Sequence, residues 1–363
     1  MAVKISLKEP SGISGVSITN FKGIAKCSIK NVATVNLLLG KNDSGKSSIM
    51  EAIFYTFREY IGNSLGGIMS RRTDVFTGGR ELWYNYDTRH PVDISVTLER
   101  GGTIGLKIAM DEERIHTTFY GSYGRKSSAR SKGPWTVGGS TYLGEDFTFS
   151  VGKEKTQRIP ISDSKRRGLA SFASSVTFID CRSKSVVSAA EKELAEIKIK
   201  GKTARFGRIL KTCYGKSSNW EFVPHIDRPN EVRLVFREGR RIVFASDLGD
   251  GFRLGLSILS KMFNRTNTCF FIEEIESHQH IGSLKQLLKA VVEIARLNNL
   301  QVFITTHSAD TWNSLSRGVY LNDTERENTE FRCFVIERDL KSGVVSAEHT
   351  EDITEIHRVL GLP

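Results

Sequence analysis

The sequence predicts an α/β fold with a central parallel β-sheet flanked by helices, and two patterns support this prediction. The segment 35–57 combines a short apolar strand, a glycine-rich turn and apolar residues at helical spacing. In the last third of the chain, helices are predicted at 252–262 and 283–297, and strands at 269–272 and 302–305. Such alternation is typical of a parallel sheet, because crossover helices must connect its strands.

The glycine-rich turn at 40–48 matches the phosphate-binding pattern G-x-x-x-x-G-K-[ST]. Gly40 and Gly45 permit backbone conformations that point successive N–H groups inward, which makes an anion site at the helix N-terminus. Lys46 would contact the β- and γ-phosphates, and the Ser47 hydroxyl would hold Mg²⁺. The turn therefore predicts a bound nucleoside triphosphate with Mg²⁺. The cofactor-binding residues expected here are Gly40, Asn42, Ser44, Gly45, Lys46, Ser47 and Ser48.

The predicted strand at 269–272 ends in two adjacent carboxylates, Glu273 and Glu274. Because the carboxyl ends of parallel strands face the ligand crevice, both side chains are expected near the phosphates. We assign Glu273 to Mg²⁺ and Glu274 to polarising the attacking water. Glu274 and Lys46 are therefore candidate catalytic residues.

Two further features accompany these strands. His307 follows the strand at 302–305, and it could hydrogen-bond the γ-phosphate as a third candidate catalytic residue. The alternative is that His307 caps the helix that begins near Ser308. The turn Gly249-Asp250-Gly251 opens a helix just before the carboxylate strand, after a long insertion that a compact phosphate-binding domain does not need.

The rest of the chain contains smaller predicted units. Alternating apolar and polar residues at 92–110 predict a hairpin, and apolar strands are expected within 232–244. The segment 121–168 is rich in Gly, Ser, Lys and Arg and is predicted to be a surface insertion. A helical pattern follows at 187–212, and 334–339 is expected to be a terminal hairpin strand.

The charge balance suggests a polyanionic partner. Lys and Arg number 52 against 41 Asp and Glu, which gives a net charge of +11. The excess is concentrated in clusters at 71–72, 125–132, 165–167, 198–208 and 237–241. DNA is the leading candidate partner, and the alternative is a set of solvated basic faces that bound nucleotide partly offsets.

Composition also restricts the cellular setting. No apolar stretch approaches the roughly 18–20 residues of a membrane span, and the N-terminus lacks a signal-peptide core. The five cysteines are scattered without a CxxC pair, which argues against a disulfide framework or a zinc site. We therefore expect a cytoplasmic protein that does not contact a membrane.

In order and spacing, these motifs resemble the ABC-type ATPases of the structural-maintenance-of-chromosomes (SMC), RecF and OLD (overcoming-lysogenisation-defect) group. Segment 18–24 matches the family's N-terminal strand and turn, and 40–48 matches its Walker A motif. Segment 248–251 matches the signature motif. Segment 270–274 matches Walker B with its catalytic glutamate, and 305–308 matches the H-loop. The stretch 273–280 is close to a sequence of OLD-like ATPases, and on that match His278 and His280 fall in the D-loop. His280 is accordingly expected among the cofactor-binding residues, as are the signature residues Gly249 and Gly251.

The resemblance implies an ABC-type P-loop ATPase head, with a mixed sheet whose central part is parallel and with an inserted basic, helical lobe. The implied cofactors are ATP and Mg²⁺. Residues 1–115 would form the N-terminal part of the head with Walker A, and 116–215 the inserted lobe. Residues 216–363 would form the C-terminal part, which carries the signature, Walker B, D-loop and H-loop.

In this family two heads enclose two ATP molecules, and each signature motif faces the phosphate loop of the other protomer. One phosphate loop and one signature per chain therefore imply a homodimer, or a pair with a related subunit. Gly249 stands where the signature commonly has Ser, so backbone N–H groups and the helix dipole would replace a hydroxyl contact. No long coiled coil is present, and too few residues follow His307 for an appended nuclease domain.

The leading interpretation is a stand-alone, Mg²⁺-dependent ATPase that acts as a dimerising switch. It would serve DNA repair or recombination, or genome defence with a separate nuclease or toxin as effector. The alternative is an ATP-binding scaffold or DNA-binding module with little turnover. A transporter subunit is disfavoured by the basic insertion, and a GTPase by the absence of an [NT]-K-x-D motif.

Overall fold

A computed structural model describes twelve stretches of the chain. They are 12–60, 80–99, 102–111, 114–121, 135–137, 141–143, 169, 171–180, 186–215, 220–224, 232–318 and 331–362. The basic clusters at 71–72, 125–132 and 165–167, and most of the surface insertion predicted at 121–168, lie outside the described residues.

Strands dominate the N-terminal half and helices the C-terminal half of the described chain. The strands are β1 (Ile13–Phe21), β2 (Ile24–Lys30), β3 (Val35–Leu39), β4 (Val92–Leu98), β5 (Thr103–Asp111), β6 (Arg114–Gly121), β7 (Trp135–Val137), β8 (Thr141–Leu143), β9 (Thr177–Asp180), β10 (Trp220–Pro224), β11 (Val232–Glu238), β12 (Arg241–Phe244), β13 (Thr268–Glu273), β14 (Leu300–Thr306), β15 (Phe331–Arg338) and β16 (Val344–His349). The helices are α1 (Lys46–Tyr60), α2 (Val186–Ile199), α3 (Thr203–Tyr214), α4 (Asp250–Asn264), α5 (Ile281–Asn298), α6 (Ala309–Gly318) and α7 (Ile353–Leu360).

Within the described residues, thirteen strands form one mixed sheet and β10, β11 and β12 form a smaller one. The parallel part of the large sheet runs β15-β3-β14-β13-β9. The antiparallel part contains β1, β2 and β4 to β8. Strand β16 joins the two parts, since it pairs antiparallel with β15 and parallel with β2. The predicted fold class, a mixed sheet with a central parallel portion flanked by helices, is confirmed.

The central strands are buried on both faces, as the predominantly apolar sequence of β3 predicts. Alternate residues of β13 point to opposite faces and enter two different cores. Phe271 packs beside Phe54 of α1, with ring centroids 6.4 Å apart. Phe270 and Ile272 enter the other core, to which α4 and α5 contribute. Helices on both faces hold the sheet and fix the position of its carboxyl edge.

Several elements differ from the sequence prediction. The helical pattern at 187–212 forms two helices, because Gly201 has a φ of +66° and ends the first one. The strand predicted at 334–339 does form a hairpin with β16, but it also pairs with β3 inside the sheet. Its buried apolar run, 333–336, requires cover on both faces. Strand β9 lies within the segment 116–215 and pairs with β13, and the three-part division of the chain stays a prediction.

The described cysteines are all free and buried. Burial raises the pKa of the Cys27 and Cys213 thiols to about 12, so neither is a ready nucleophile at neutral pH. In the described part of the chain, no helix is long and apolar enough to cross a membrane.

Gln301 joins the N-terminal strand to the centre of the sheet. Its buried side chain accepts a hydrogen bond from Ile13 N at 2.8 Å and donates to Ile13 O at 2.8 Å and to Ala33 O at 3.0 Å. We predict that Gln301→Leu lowers the free energy of unfolding by roughly 2–5 kcal/mol, because the buried N–H and C=O groups of Ile13 lose their partners at about 1–3 kcal/mol each. Ala33 O keeps the hydrogen bond that Asn36 Nδ2 donates to it.

Urea denaturation measures this difference. The matched control is Gln286→Leu on α5, where the side chain is half-buried and little change is expected. Equal stability of Gln301→Leu and the wild-type chain would contradict the role given to Gln301.

Candidate functional site

The predicted phosphate site forms at the carboxyl edge of the parallel strands. Because β3, β13 and β14 run in the same direction, the loops that follow them meet at this edge. The Ser47 hydroxyl at the start of α1 donates a hydrogen bond to the Glu273 carboxylate at the end of β13. The structure thus joins the two residues assigned to Mg²⁺, which lie far apart in the sequence.

The phosphate loop needs glycine at two positions, for different reasons. A Cβ atom on Gly40 would lie 2.3 Å from the carbonyl oxygen of Ile336 and 2.8 Å from Ser44 Oγ. Gly45 instead has a φ of +103°, which side-chain-bearing residues rarely adopt. Asp43 also has a positive φ of 61°. The pattern of residues therefore produces a tight turn with positive φ angles, a backbone geometry that suits phosphate binding.

Lys46 lies at the base of this loop. Its side chain is buried, and Nζ donates to the carbonyl oxygens of Gly40 at 2.8 Å and Lys41 at 2.6 Å. Burial lowers the pKa of the Lys46 ammonium, while the carboxylates of Glu274 and Glu276 act in the opposite direction. The ammonium is therefore held between the phosphate loop and an acidic edge.

The two adjacent carboxylates occupy different environments. Glu273 is 1% exposed and completes β13, whereas Glu274 is half-buried. Glu274 has a φ of +49°, and its N–H donates to Thr305 Oγ1 on β14 at 3.0 Å. This left-handed turn ends the strand, so the two side chains do not simply alternate across the sheet.

His307 is held by a residue that the sequence analysis did not assign. The His307 N–H and the Thr306 hydroxyl both donate to Glu276 Oε1, at 3.0 and 2.7 Å. The His307 ring is half-exposed, and its Nδ1 lies 3.3 Å from the same oxygen. The alternative role of His307 as a helix cap is wrong, because the Ser308 hydroxyl accepts the bond from Asp310 N near the start of α6.

His280 caps a helix in this structure. It is the N-cap residue of α5, and its Nδ1 accepts a hydrogen bond from Gly282 N at 3.3 Å. His278 is exposed and has a φ of +60°. The cap explains the position of His280 without a nucleotide, and its expected nucleotide contact stays a prediction.

The two glycines of the signature-like turn have opposite surroundings. Gly249 is the exposed N-cap residue of α4, and a Cβ atom there would meet nothing within 4 Å. A Cβ atom on Gly251 would lie 2.4 Å from the carbonyl oxygen of His278. The Gly251 carbonyl also accepts a hydrogen bond from Gln279 Nε2 at 2.7 Å. The start of α4 therefore packs directly against the segment 274–280 that follows β13, the D-loop segment.

A further carboxylate, which no sequence motif marks, lies beside Glu273. Asp180 ends β9, and the parallel register pairs it with Glu273 on β13, which places both side chains on one face of the sheet. Its signal was a short apolar strand ending in a carboxylate, as in β13. The basic, weakly periodic sequence before it hid that signal.

The comparisons with known proteins identify the family. Residues 35–311 match the sequence model of the family described as "AAA domain, putative AbiEii toxin, Type IV TA system". The chain belongs to this AAA-domain family.

Individual proteins and solved structures are also similar to this chain. An "ATP/GTP phosphatase" of Helicobacter pylori is 22% identical over 326 residues, which cover 82% of this chain and 86% of that protein. A "DNA replication and repair protein RecF" of Francisella tularensis is 28% identical over 107 residues, 29% of this chain and 30% of that protein. The solved SMC head bound to the C-terminal winged-helix domain of ScpA has a TM-score of 0.52 at 13% identity, and the match covers 95% of this chain and 99% of that chain. The predicted membership of the SMC/RecF-like ABC-type ATPases is confirmed, as is the prediction of an ATPase.

Basic side chains lie on two surfaces that the structure describes. Arg205 and Arg208 of α3 and Lys289 of α5 line a groove of ≈ 370 Å³. Arg240 and Arg241 are exposed at the turn between β11 and β12. Arg205 and Arg208 belong to the basic cluster at 198–208, and Arg240 and Arg241 to the cluster at 237–241, at which the sequence predicts DNA contact.

The surroundings of the signature glycines give a paired prediction. Gly249→Ser should be neutral or stabilise by up to about 1 kcal/mol, because serine is a good N-cap residue and the site is open. Gly251→Ser should destabilise by about 1–3 kcal/mol, because its Cβ meets a backbone oxygen. Thermal and urea denaturation of the two variants measures the contrast, and equal stabilities would show that α4 does not pack on the D-loop as described.

Proposed function

We propose that this chain is a Mg²⁺-dependent ATPase that acts as a dimerising switch. One observation carries the proposal: the Ser47 hydroxyl contacts the Glu273 carboxylate directly beside the buried Lys46 ammonium. A hydroxyl, a buried carboxylate and an ammonium at a phosphate loop are the groups that ATP and Mg²⁺ require. The similarity to a protein named ATP/GTP phosphatase supports the same reaction.

The residues present fit the metal. Ser47 Oγ and a Glu273 carboxylate oxygen are neighbours, and both are hard oxygen ligands of the kind that Mg²⁺ prefers. Asp180 stands beside Glu273 on the same face and adds negative charge at this edge. When bound here, Mg²⁺ would neutralise charge on the phosphate oxygens of ATP. Nearby, Lys46 would bind the same phosphates from the base of the loop.

Hydrolysis would use the two side chains that follow the central strands. Glu274, turned out of β13, would orient a water molecule and accept its proton as the water attacks the γ-phosphorus atom. His307 would donate a hydrogen bond to the γ-phosphate oxygens, where negative charge is concentrated. These roles explain why the two carboxylates of the Glu-Glu pair have different surroundings.

The signature turn supports the dimer. Gly249 lies exposed at the N-terminus of α4 with open space around it, so it offers backbone N–H groups and a helix dipole to an incoming anion. The γ-phosphate held by a second copy is the anion that we propose it binds. ATP would then join two chains, and hydrolysis would release them.

DNA is the proposed partner of the basic surfaces, and a separate nuclease or toxin is the proposed effector. The net charge of +11 and the exposed Arg240 and Arg241 support contact with a polyanion. Similarity to a protein named for DNA replication and repair is consistent with such a partner. DNA repair or recombination and genome defence both fit this chemistry.

We predict that Glu274→Gln lowers the rate of ATP hydrolysis by roughly a hundredfold or more, because an amide cannot accept the proton of the attacking water. ATP binding should persist, so an ATP-bound dimer should accumulate and elute early from a sizing column.

The control is Lys46→Ala, which should lose ATP binding and remain monomeric with ATP. Unchanged hydrolysis by Glu274→Gln would contradict the proposed mechanism. Negligible hydrolysis by the wild-type chain, together with an ATP-dependent dimer, would favour the alternative of an ATP-binding scaffold. In that alternative, the lack of a side-chain hydroxyl at Gly249 weakens the contact between the signature turn and the γ-phosphate.

DNA binding should be salt-dependent. Changing Arg240 and Arg241 to Gln should reduce the slope of log affinity against log salt by about 0.9 for each phosphate that is no longer neutralised. Fluorescence anisotropy with a labelled duplex of arbitrary sequence measures the slope, and exposed Lys30→Gln on β2 is the control. Affinity that does not change between about 50 and 200 mM salt would exclude an electrostatic interface. Arg166 and Arg167, a second basic pair suited to the same test, lie outside the described residues.

A further inference from the structure

We propose that Glu276 is a positioning residue, which sets the rate of ATP hydrolysis by fixing His307. The inference rests on the proposed ATPase function. It adds a residue that none of the matched motifs assigns, and it gives that residue a role in turnover rather than in ATP binding.

One oxygen of Glu276 holds both the backbone and the ring of the H-loop. Oε1 accepts hydrogen bonds from Thr306 Oγ1 at 2.7 Å and from His307 N at 3.0 Å. It also lies 3.3 Å from His307 Nδ1. The Glu276 side chain is only 12% exposed, and its second oxygen, Oε2, is buried without a hydrogen-bond partner among the described residues. The hydrogen bonds that this largely buried carboxylate accepts in the described structure are thus directed at the H-loop.

The geometry of the D-loop fixes Glu276 itself. After the left-handed turn at Glu274, the Ser277 N–H donates to Glu274 O at 2.9 Å and the Gln279 N–H donates to Glu276 O at 3.0 Å. These two tight turns bring the carboxylate back towards the end of β14. The Thr306 hydroxyl in turn accepts from Ser308 N at 3.0 Å, which closes the H-loop on itself.

This arrangement leaves the Nε2 side of the His307 ring free to contact a phosphate. Because Nδ1 faces Glu276, Nε2 lies on the far side of the ring and is the atom available to a γ-phosphate oxygen. The ring is 49% exposed, so without Glu276 it could adopt several rotamers and would have to be ordered during the reaction. By ordering the His307 ring before the reaction, Glu276 would favour turnover without contacting ATP.

A double-mutant cycle tests this coupling. We expect Glu276→Ala and His307→Ala each to lower kcat by roughly ten- to a hundredfold. The double variant should be no slower than His307→Ala alone, because Glu276 acts through His307. Affinity for a fluorescent ATP analogue should be unchanged in Glu276→Ala. Glu276→Gln keeps an acceptor oxygen for the two hydrogen bonds, so its kcat should lie well above that of Glu276→Ala.

Two measurements separate positioning from general loss of structure. Thermal unfolding, with the exposed Glu351→Ala as control, reports folding. Hydrogen exchange at the His307 amide should become faster in Glu276→Ala, while amides of β13 stay protected. If Glu276→Ala does not fold, the cycle is run with Glu276→Gln, which should have no effect in the His307→Ala background.

Additive losses in the double variant would overturn the inference, and so would a loss of ATP affinity as large as the loss of kcat. Glu276→Gln as slow as Glu276→Ala would also overturn it, because acceptor geometry would then not matter. A wild-type chain that does not hydrolyse ATP would remove the proposed function, and this inference with it. Hydrolysis by the wild-type chain together with additive losses would remove only the role of Glu276.

Discussion

The geometry of the proposed nucleotide site, at the carboxyl edge of the parallel strands, depends on the contact between the Ser47 hydroxyl and the Glu273 carboxylate. It requires that α1 begin directly beside the end of β13, although a long stretch of chain separates them. The parallel order β3-β14-β13 meets this requirement, because all three strands deliver their following loops to one edge. Gly40 lies so close to the carbonyl oxygen of Ile336 on β15 that a side chain at this position would clash with the strand.

The D-loop segment 274–280 connects this edge to the signature turn. At one end Glu274 bonds to Thr305, and in the middle Glu276 holds the H-loop. At the other end Gln279 donates to the carbonyl of Gly251 at the start of α4. These backbone and side-chain hydrogen bonds in one short segment give a continuous physical link. The segment thus joins Glu274 and His307 to the turn at Gly251, close to the surface around Gly249 where the second copy is proposed to bind.

Much of the site could be predicted from the sequence, because its parts carry their own local signals. Lys46, Ser47 and Glu273 belong to short patterns whose residue types are dictated by phosphate and metal chemistry, and the structure brings them together. The central placement of β15 and the role of Gln301 were not predictable, since both arise from pairing between distant segments.

The roles of Glu276, Gly249 and Gly251 could not be predicted from the sequence, because they depend on tertiary contacts. Glu276 was visible in the D-loop stretch, but its partners Thr306 and His307 follow a different strand. Gly249 and Gly251 look alike in sequence. The structure distinguishes them, because the carbonyl oxygen of His278 lies against Gly251 while the space around Gly249 is open. Such distinctions require the positions of neighbouring backbone atoms, which no local pattern contains.

In the proposed dimer, the signature turn of one chain completes the phosphate loop of the other, and this composite site is the feature to test. It is tested most directly by mixing two inactive variants, Lys46→Ala and Gly249→Trp, and measuring ATP hydrolysis. The open space around Gly249 should let the second variant fold while its bulky side chain blocks the partner's phosphates. The account predicts that each variant alone is inactive and that the mixture regains hydrolysis, because one intact composite site forms in the mixed dimer. A mixture as inactive as its components would contradict the account.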